Sequence, residues 1–398
     1  MATKTGSFQV EVDAAPSKYG AANINYERNP LAVPGTRNTG TNYADSRYQL
    51  PQIDKLAELS IAETTEGSPI SSERLVAIES GDDLPRSLDI AVVAESTGLP
   101  IGWFLEERPQ LVASRKPAPE GGVSPAFDLA LERVSVHVEQ LVSEGIIAPA
   151  AHQGFRLDVD HDAIARRAAE VRDWADAGDE PIVDFSAFCE RVGLLVFAQS
   201  FLGSPFEGAV TEIERKPGAE FGIALVDKCA GLLRSRFTLA HELGHWVYRT
   251  SFGTGCGRGD VERAMNSFAA HLLMPRSFVE RMETKHADRR ALALAVSAQC
   301  GVSWSATLGH LANLGVITGE TYALEVECKP DSQEFQNAGF EIPMVKEPDV
   351  VPPLYRSAVL NAYQQRKLTT GKTLEVLFGA VVEEQLPERI PPRGRKAS

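Results

Sequence analysis

The feature that most constrains this chain is the pentapeptide His241-Glu242-Leu243-Gly244-His245, set inside the run FTLAHELGHWVYR. Apolar Phe237, Leu239, Ala240, Trp246 and Val247 flank it, and the spacing predicts a helix. Residues four apart lie on one face of a helix, so both imidazoles can reach one metal ion. Glu242 then stands where it can take a proton from water. Two imidazoles and a carboxylate are poor material for a merely structural mid-helix core. Two His plus a carboxylate leave one coordination position open, which points to zinc. The expected chemistry is hydrolysis, with the ion lowering the pKa of a water and Glu242 acting as base. Small Gly244 allows another element, or a substrate, to come close.

A third protein ligand is needed, and Cys256, Asp260, Glu262 and His271 follow downstream. At about 100° per residue, Glu262 shares a face with Asn266, Ala269 and Leu273. His271, nine residues on, points about 180° away. Ala269 and Leu273 read as core-facing, which turns Glu262 inward and His271 outward to solvent. Glu262 is therefore the expected third ligand. Cys256 and Asp260 sit in the Gly-rich stretch GTGCGRGD and make weaker candidates.

The 398 residues are 24 % charged and 43 % hydrophobic, an ordinary globular composition sufficient for two or three domains. A net charge of −14 disfavours a general nucleic-acid coat or an anionic membrane surface. Five scattered Cys with no CxxC read as reduced intracellular thiols. No apolar leader opens the sequence and no run of 18 apolar residues occurs, so a cytoplasmic protein without a membrane partner is expected.

Pattern changes divide the chain. Residues 1–49 read as an extended arm, and 50–110 as a compact unit of short helices (DKLAELSIAE, SSERLVAIES, SLDIAVVAES). The Pro-, Gly- and Ser-containing stretch 111–126 reads as a linker. Residues 127–325 carry helices around two strand candidates, VGLLVFAQS and EFGIALVDK, and 326–398 form a helical tail with a frayed end. The expected fold class is mainly α with a small β-sheet, α+β.

Two blocks, RFTLAHELGHWV at 236–247 and ERAMNSFAAHLLMP at 262–275, resemble the ImmA/IrrE metallopeptidase family. Met265 and His271 depart from its usual pattern, in which Ala and an acidic residue are common. The resemblance implies a zincin-like central domain and places Glu262 at the family's metal-ligand position. It further implies an intracellular peptidase that cleaves a helix-turn-helix repressor, switching on phage, mobile-element or stress genes. Residues 51–107 resemble a phage-repressor-type helix-turn-helix domain, with Ile78-Glu79-Ser80-Gly81 at its turn and Leu88 to Ala94 in the helix after it.

The charge of this N-terminal unit fits DNA poorly. Residues 1–110 hold nine Lys and Arg against sixteen Asp and Glu, whereas phosphate contacts supply most of the affinity for DNA. A DNA face would draw on Arg74 and Arg86, with Arg47 and Lys55. Two further functions remain open: a regulator that binds operator DNA and senses metal or a ligand without proteolysis, and a protein-binding component of a toxin–antitoxin or prophage switch. Tyr248 lies near the motif without an assigned role. Trp103-Phe104 reads as hydrophobic closure, and the Arg pairs at 166–167 and 289–290 as solvated helix faces.

Overall fold

The computed structural model describes residues 69–79, 82–97, 101, 104, 113–117, 125–150, 154–201, 206–213, 220–250, 258–340 and 344–391. The expected arm, the helix DKLAELSIAE, Arg47, Lys55, Trp103 and Cys256 lie outside these residues.

Two short helices come first, α1 (Ser72–Glu79) and α2 (Ser87–Thr97). Their apolar sides, Leu75, Ile78, Ile90, Val93 and Ala94, close with Phe104 on Val136. Asp89 ties the turn between them: it accepts from the Arg86 backbone N–H at 2.6 Å and from Arg74 Nη2 at 2.6 Å. Arg74 also bonds Asp83 and the Leu84 carbonyl. Of the four basic residues considered for DNA, Arg74 is thus committed to holding its own turn, while Arg86 is exposed.

The segment read as a linker contains a strand, β1 (Ala113–Pro117). Then follow α3 (Pro125–Ser143), α4 (His161–Trp174), α5 (Phe185–Arg191), β2 (Leu194–Gln199), β3 (Phe206–Ile213) and β4 (Phe221–Asp227). Asp160 and Asp184 cap α4 and α5, each accepting an N–H at 2.9 Å, which satisfies donors the first helical turn leaves open. The sheet order is β1-β3-β4-β2; β2 and β4 run parallel and the other two pairings are antiparallel.

Alternate residues of a strand face opposite sides of its sheet, and here both sides are covered. Leu194, Val196, Ala198, Val210, Ala224 and Val226 face one core. Leu195, Phe197, Ala209, Ile213, Phe221, Ile223 and Leu225 face another. Hence β2 and β4 read as continuous apolar runs.

On the first side lie α4, α5, α6 (Leu232–Tyr248), α7 (Arg258–Leu273), α8 (Arg276–Lys285), α9 (Arg289–Cys300) and α10 (Trp304–Asn313). Two small helices, α11 (Gly319–Glu327) and α12 (Ser332–Asn337), pack on the outside of α9 and α10, with Tyr322, Val326 and Phe335 against the first core. On the second side lie α3, α13 (Pro353–Gln364) and α14 (Thr370–Val376). The expected tail therefore supplies a layer of the fold. Glu190 of α5 fastens it, accepting the backbone N–H groups of Leu354 and Tyr355 at 2.9 and 2.8 Å. No single helix among the described residues is long and apolar enough to cross a membrane.

Candidate metal centre

The candidate metal centre is built on α6, which lies under the sheet against β3, β4 and β1. Trp246 anchors it. The indole packs over Gly222, where a Cβ would come within 2.7 Å of Leu194 and 3.0 Å of Trp246, and its Nε1 donates to the Val192 carbonyl at 3.3 Å. Gly244 serves the opposite side. A Cβ there would meet Met265 Sδ at 2.9 Å and the Phe268 ring at 3.1 Å, so it is α7, not a substrate, that uses the space.

This close approach brings Glu262, on α7, to the two imidazoles. His241 Nε2 and His245 Nε2 lie 3.1 Å apart. Glu262 Oε2 is 3.2 Å from the first and Glu262 Oε1 is 3.7 Å from the second. One ligand atom from each residue falls within a sphere where all lie within 4.8 Å of one another. Both His are buried, at 2 and 3 % exposure, while the Glu262 side chain keeps 38 %, so the centre opens on the Glu262 side.

The donor set fits a metal ion. His241 Nδ1–H donates to Asn266 Oδ1 at 3.0 Å, which leaves Nε2 as a bare lone pair. That lone pair faces a second ring nitrogen and a carboxylate, an arrangement a cation satisfies. Tetrahedral bonds of about 2.0–2.1 Å would set ligand atoms roughly 3.3 Å apart, within the range observed here. His245 Nδ1 shares a hydrogen bond of 2.5 Å with Thr250 Oγ1. Both rings are thus oriented from behind, as ligating His usually are. Glu242, fully buried in the same helical turn, completes the motif.

Residues 189–309 match the family described as an IrrE N-terminal-like domain, a peptidase family. No curated protein and no solved structure was found to match the chain. The match suggests a metallopeptidase-type domain, and its limits enclose β2, β3, β4 and the helices from α6 to the middle of α10, with all four motif residues. They leave out β1, which pairs with β3, and α3, α4, α13 and α14, which share its two cores.

The structure brings together three of the candidate residues, His241, His245 and Glu262, with two residues behind the rings that the sequence analysis does not single out as partners. Asn266 carried a signal, standing one turn after Glu262 on the same face. Thr250 carried none: it reaches His245 because Arg249 turns the chain in the left-handed region, at φ 48°. Asp260 is exposed at the start of α7 and bonded to Arg263, outside the ligand group.

His271 is corrected. It is 4 % exposed, not solvent-facing. Its Nε2 lies 3.1 Å from His161 Nε2 on α4, and its ring stands edge-on to His310 of α10. The reversal has a simple cause: α7 is covered on two sides, by α6 and by α4. Burial, with His310, His161 and Arg276 nearby, pushes the His271 pKa down to about 2. Burial likewise lowers His310 to about 4, opposed by its hydrogen bond to the Met274 carbonyl. Burial also raises the Tyr248 phenol, and its ring packs on Phe268.

Proposed function

We propose that the protein is a zinc-dependent endopeptidase. The observation that carries this reading is the convergence of His241, His245 and Glu262 beside a buried Glu242. Borderline-soft zinc suits two imidazoles and one carboxylate. When bound, such an ion supplies Lewis acidity, lowering the pKa of a water and polarising a peptide carbonyl. Glu242 accepts the proton of the attacking water and delivers it to the leaving amine nitrogen. Asn266 and Thr250 hold the rings with Nε2 forward. The half-exposed flank of Glu262 admits the substrate.

The resemblance of the two motif blocks supports a helix-turn-helix repressor as substrate, acting from the cytoplasm on phage, mobile-element or stress genes. A sensor that binds metal without turnover would use the same three ligands and leave Glu242 without a task. That difference gives the test. Glu262→Ala is expected to lose most of the single zinc that the wild type binds, measured by elemental analysis. Glu242→Gln is expected to keep the zinc and lose cleavage of the co-expressed repressor. Full cleavage by Glu242→Gln would falsify the assignment. Zinc-dependent operator binding with no cleavage by the wild type would favour the sensor.

A further inference from the structure

The IrrE N-terminal-like domain alone, residues 189–309, would end its sheet at β3. In this chain that edge is covered by β1, which comes from the connector between the N-terminal helices and α3. The pairing is antiparallel, from Ala113 opposite Thr211 to Lys116 opposite Gly208, and it breaks between Lys116 and Pro117. The break falls next to the metal helix. Glu207 of β3 accepts a hydrogen bond from Thr238 Oγ1 at 3.1 Å, and Gly208 lies against the Thr238 methyl. Thr238 stands one turn before His241, and α6 also packs against β1.

An exposed strand edge is a template for an extended peptide. An endopeptidase must hold its substrate extended next to the ion. The edge of β3 meets that need, and the chain's own residues 113–117 fill it. Both ends of β1 lead back to one apolar cluster: Phe104 precedes it by nine residues, and Leu129 and Val136 of α3 follow. This tether keeps β1 at high local concentration beside β3.

We propose that β1 is an autoinhibitory strand, occupying the β3 edge that an extended substrate peptide must take, and that displacement of the N-terminal helices releases it. The inference rests on the peptidase reading, and the experiment separates the two. Neighbouring N–H groups of an edge strand alternate between its partner and solvent. Of Ser114→Pro and Arg115→Pro, therefore, one removes a donor to β3 and the other does not. Each zinc-loaded full-length variant is titrated with acetohydroxamate, which needs the metal alone, and with the tripeptide hydroxamate Pro-Leu-Gly-NHOH, which also needs a strand edge. The expected result is that one proline variant binds the tripeptide about tenfold tighter than the wild type, with acetohydroxamate unchanged in all three proteins. Lys116→Gly, which weakens the strand without removing a donor, moves the same way by less and serves if the proline variant does not fold. Equal tripeptide affinity in every protein, or weaker affinity in the ladder-breaking variant, overturns the proposal. Failure of acetohydroxamate to bind the wild type overturns the peptidase reading, and the proposal with it.

Discussion

At the scale of single residues, the candidate metal centre depends on side chains outside its three ligand candidates. Asn266 holds His241 in the tautomer that presents Nε2, through a bond of 3.0 Å. Orienting partners of this kind are typically worth 10–100-fold in metal affinity. Asn266→Ala is therefore expected to weaken zinc binding by about that factor while leaving the helices folded, as a competition titration against a chelating dye would show. Gly244 acts through space. Adding a Val side chain there drives it into Met265 and Phe268, both fully buried. Overpacking of this sort costs about 1–3 kcal/mol. A urea melt of Gly244→Val should show that loss, together with reduced zinc content as α7 is pushed from α6. An unchanged melt would mean that α7 shifts without strain.

At the scale of elements, α7 is the member on which most depends. One side presents Glu262 and Asn266 to α6; the other presents Ser267 and His271 to His161 of α4. Periodicity finds the apolar stripe of such a helix but does not say how many neighbours cover it, which is why His271 read as exposed. Its burial has a consequence for pH. The folded protein keeps His271 and His310 neutral to well below pH 6, whereas the unfolded chain protonates them near pH 6.5. Below that value the unfolded state binds more protons, so stability falls as pH falls. Each ring contributes a slope of about 1.4 kcal/mol per pH unit until its folded pKa is reached. Urea midpoints measured from pH 7.5 to 5 should decline, and His310→Gln should flatten the decline. A profile identical in the two proteins would remove His310 from the account.

At the scale of the whole molecule, the sheet needs both of its layers. The C-terminal helices place Tyr355, Val359, Val376 and Leu377 on the second core, all at 2 % exposure or less. Fully burying side chains of this kind is worth about 1.5–3 kcal/mol each, together comparable with the stability of an ordinary domain. A chain ending at Lys346 would expose Phe197, Phe221, Ile223 and Leu225. It is expected to aggregate or to lose its near-ultraviolet circular dichroism, even though the metal ligands are all present. A soluble truncated chain with native dichroism and bound zinc would show that the second layer is dispensable.

The sequence by itself determined the elements whose signals are local. His241, Glu242 and His245 share a turn, Glu262 falls on the apolar side of the next strong helix, and the two strands before the motif are plain apolar runs. These follow from a period of 3.6 or 2 read over a dozen residues. Tertiary structure alone decided the features that need a distant partner. Residues 113–117 have no strand pattern of their own, and become β1 because β3 offers an edge. The helices after residue 350 became a layer because the sheet has a second apolar face, and His271 was buried because α4 brings His161 from 110 residues away. Long-range pairing is what closes a backbone ladder or covers a helix face, and no local spacing encodes which segment will do it.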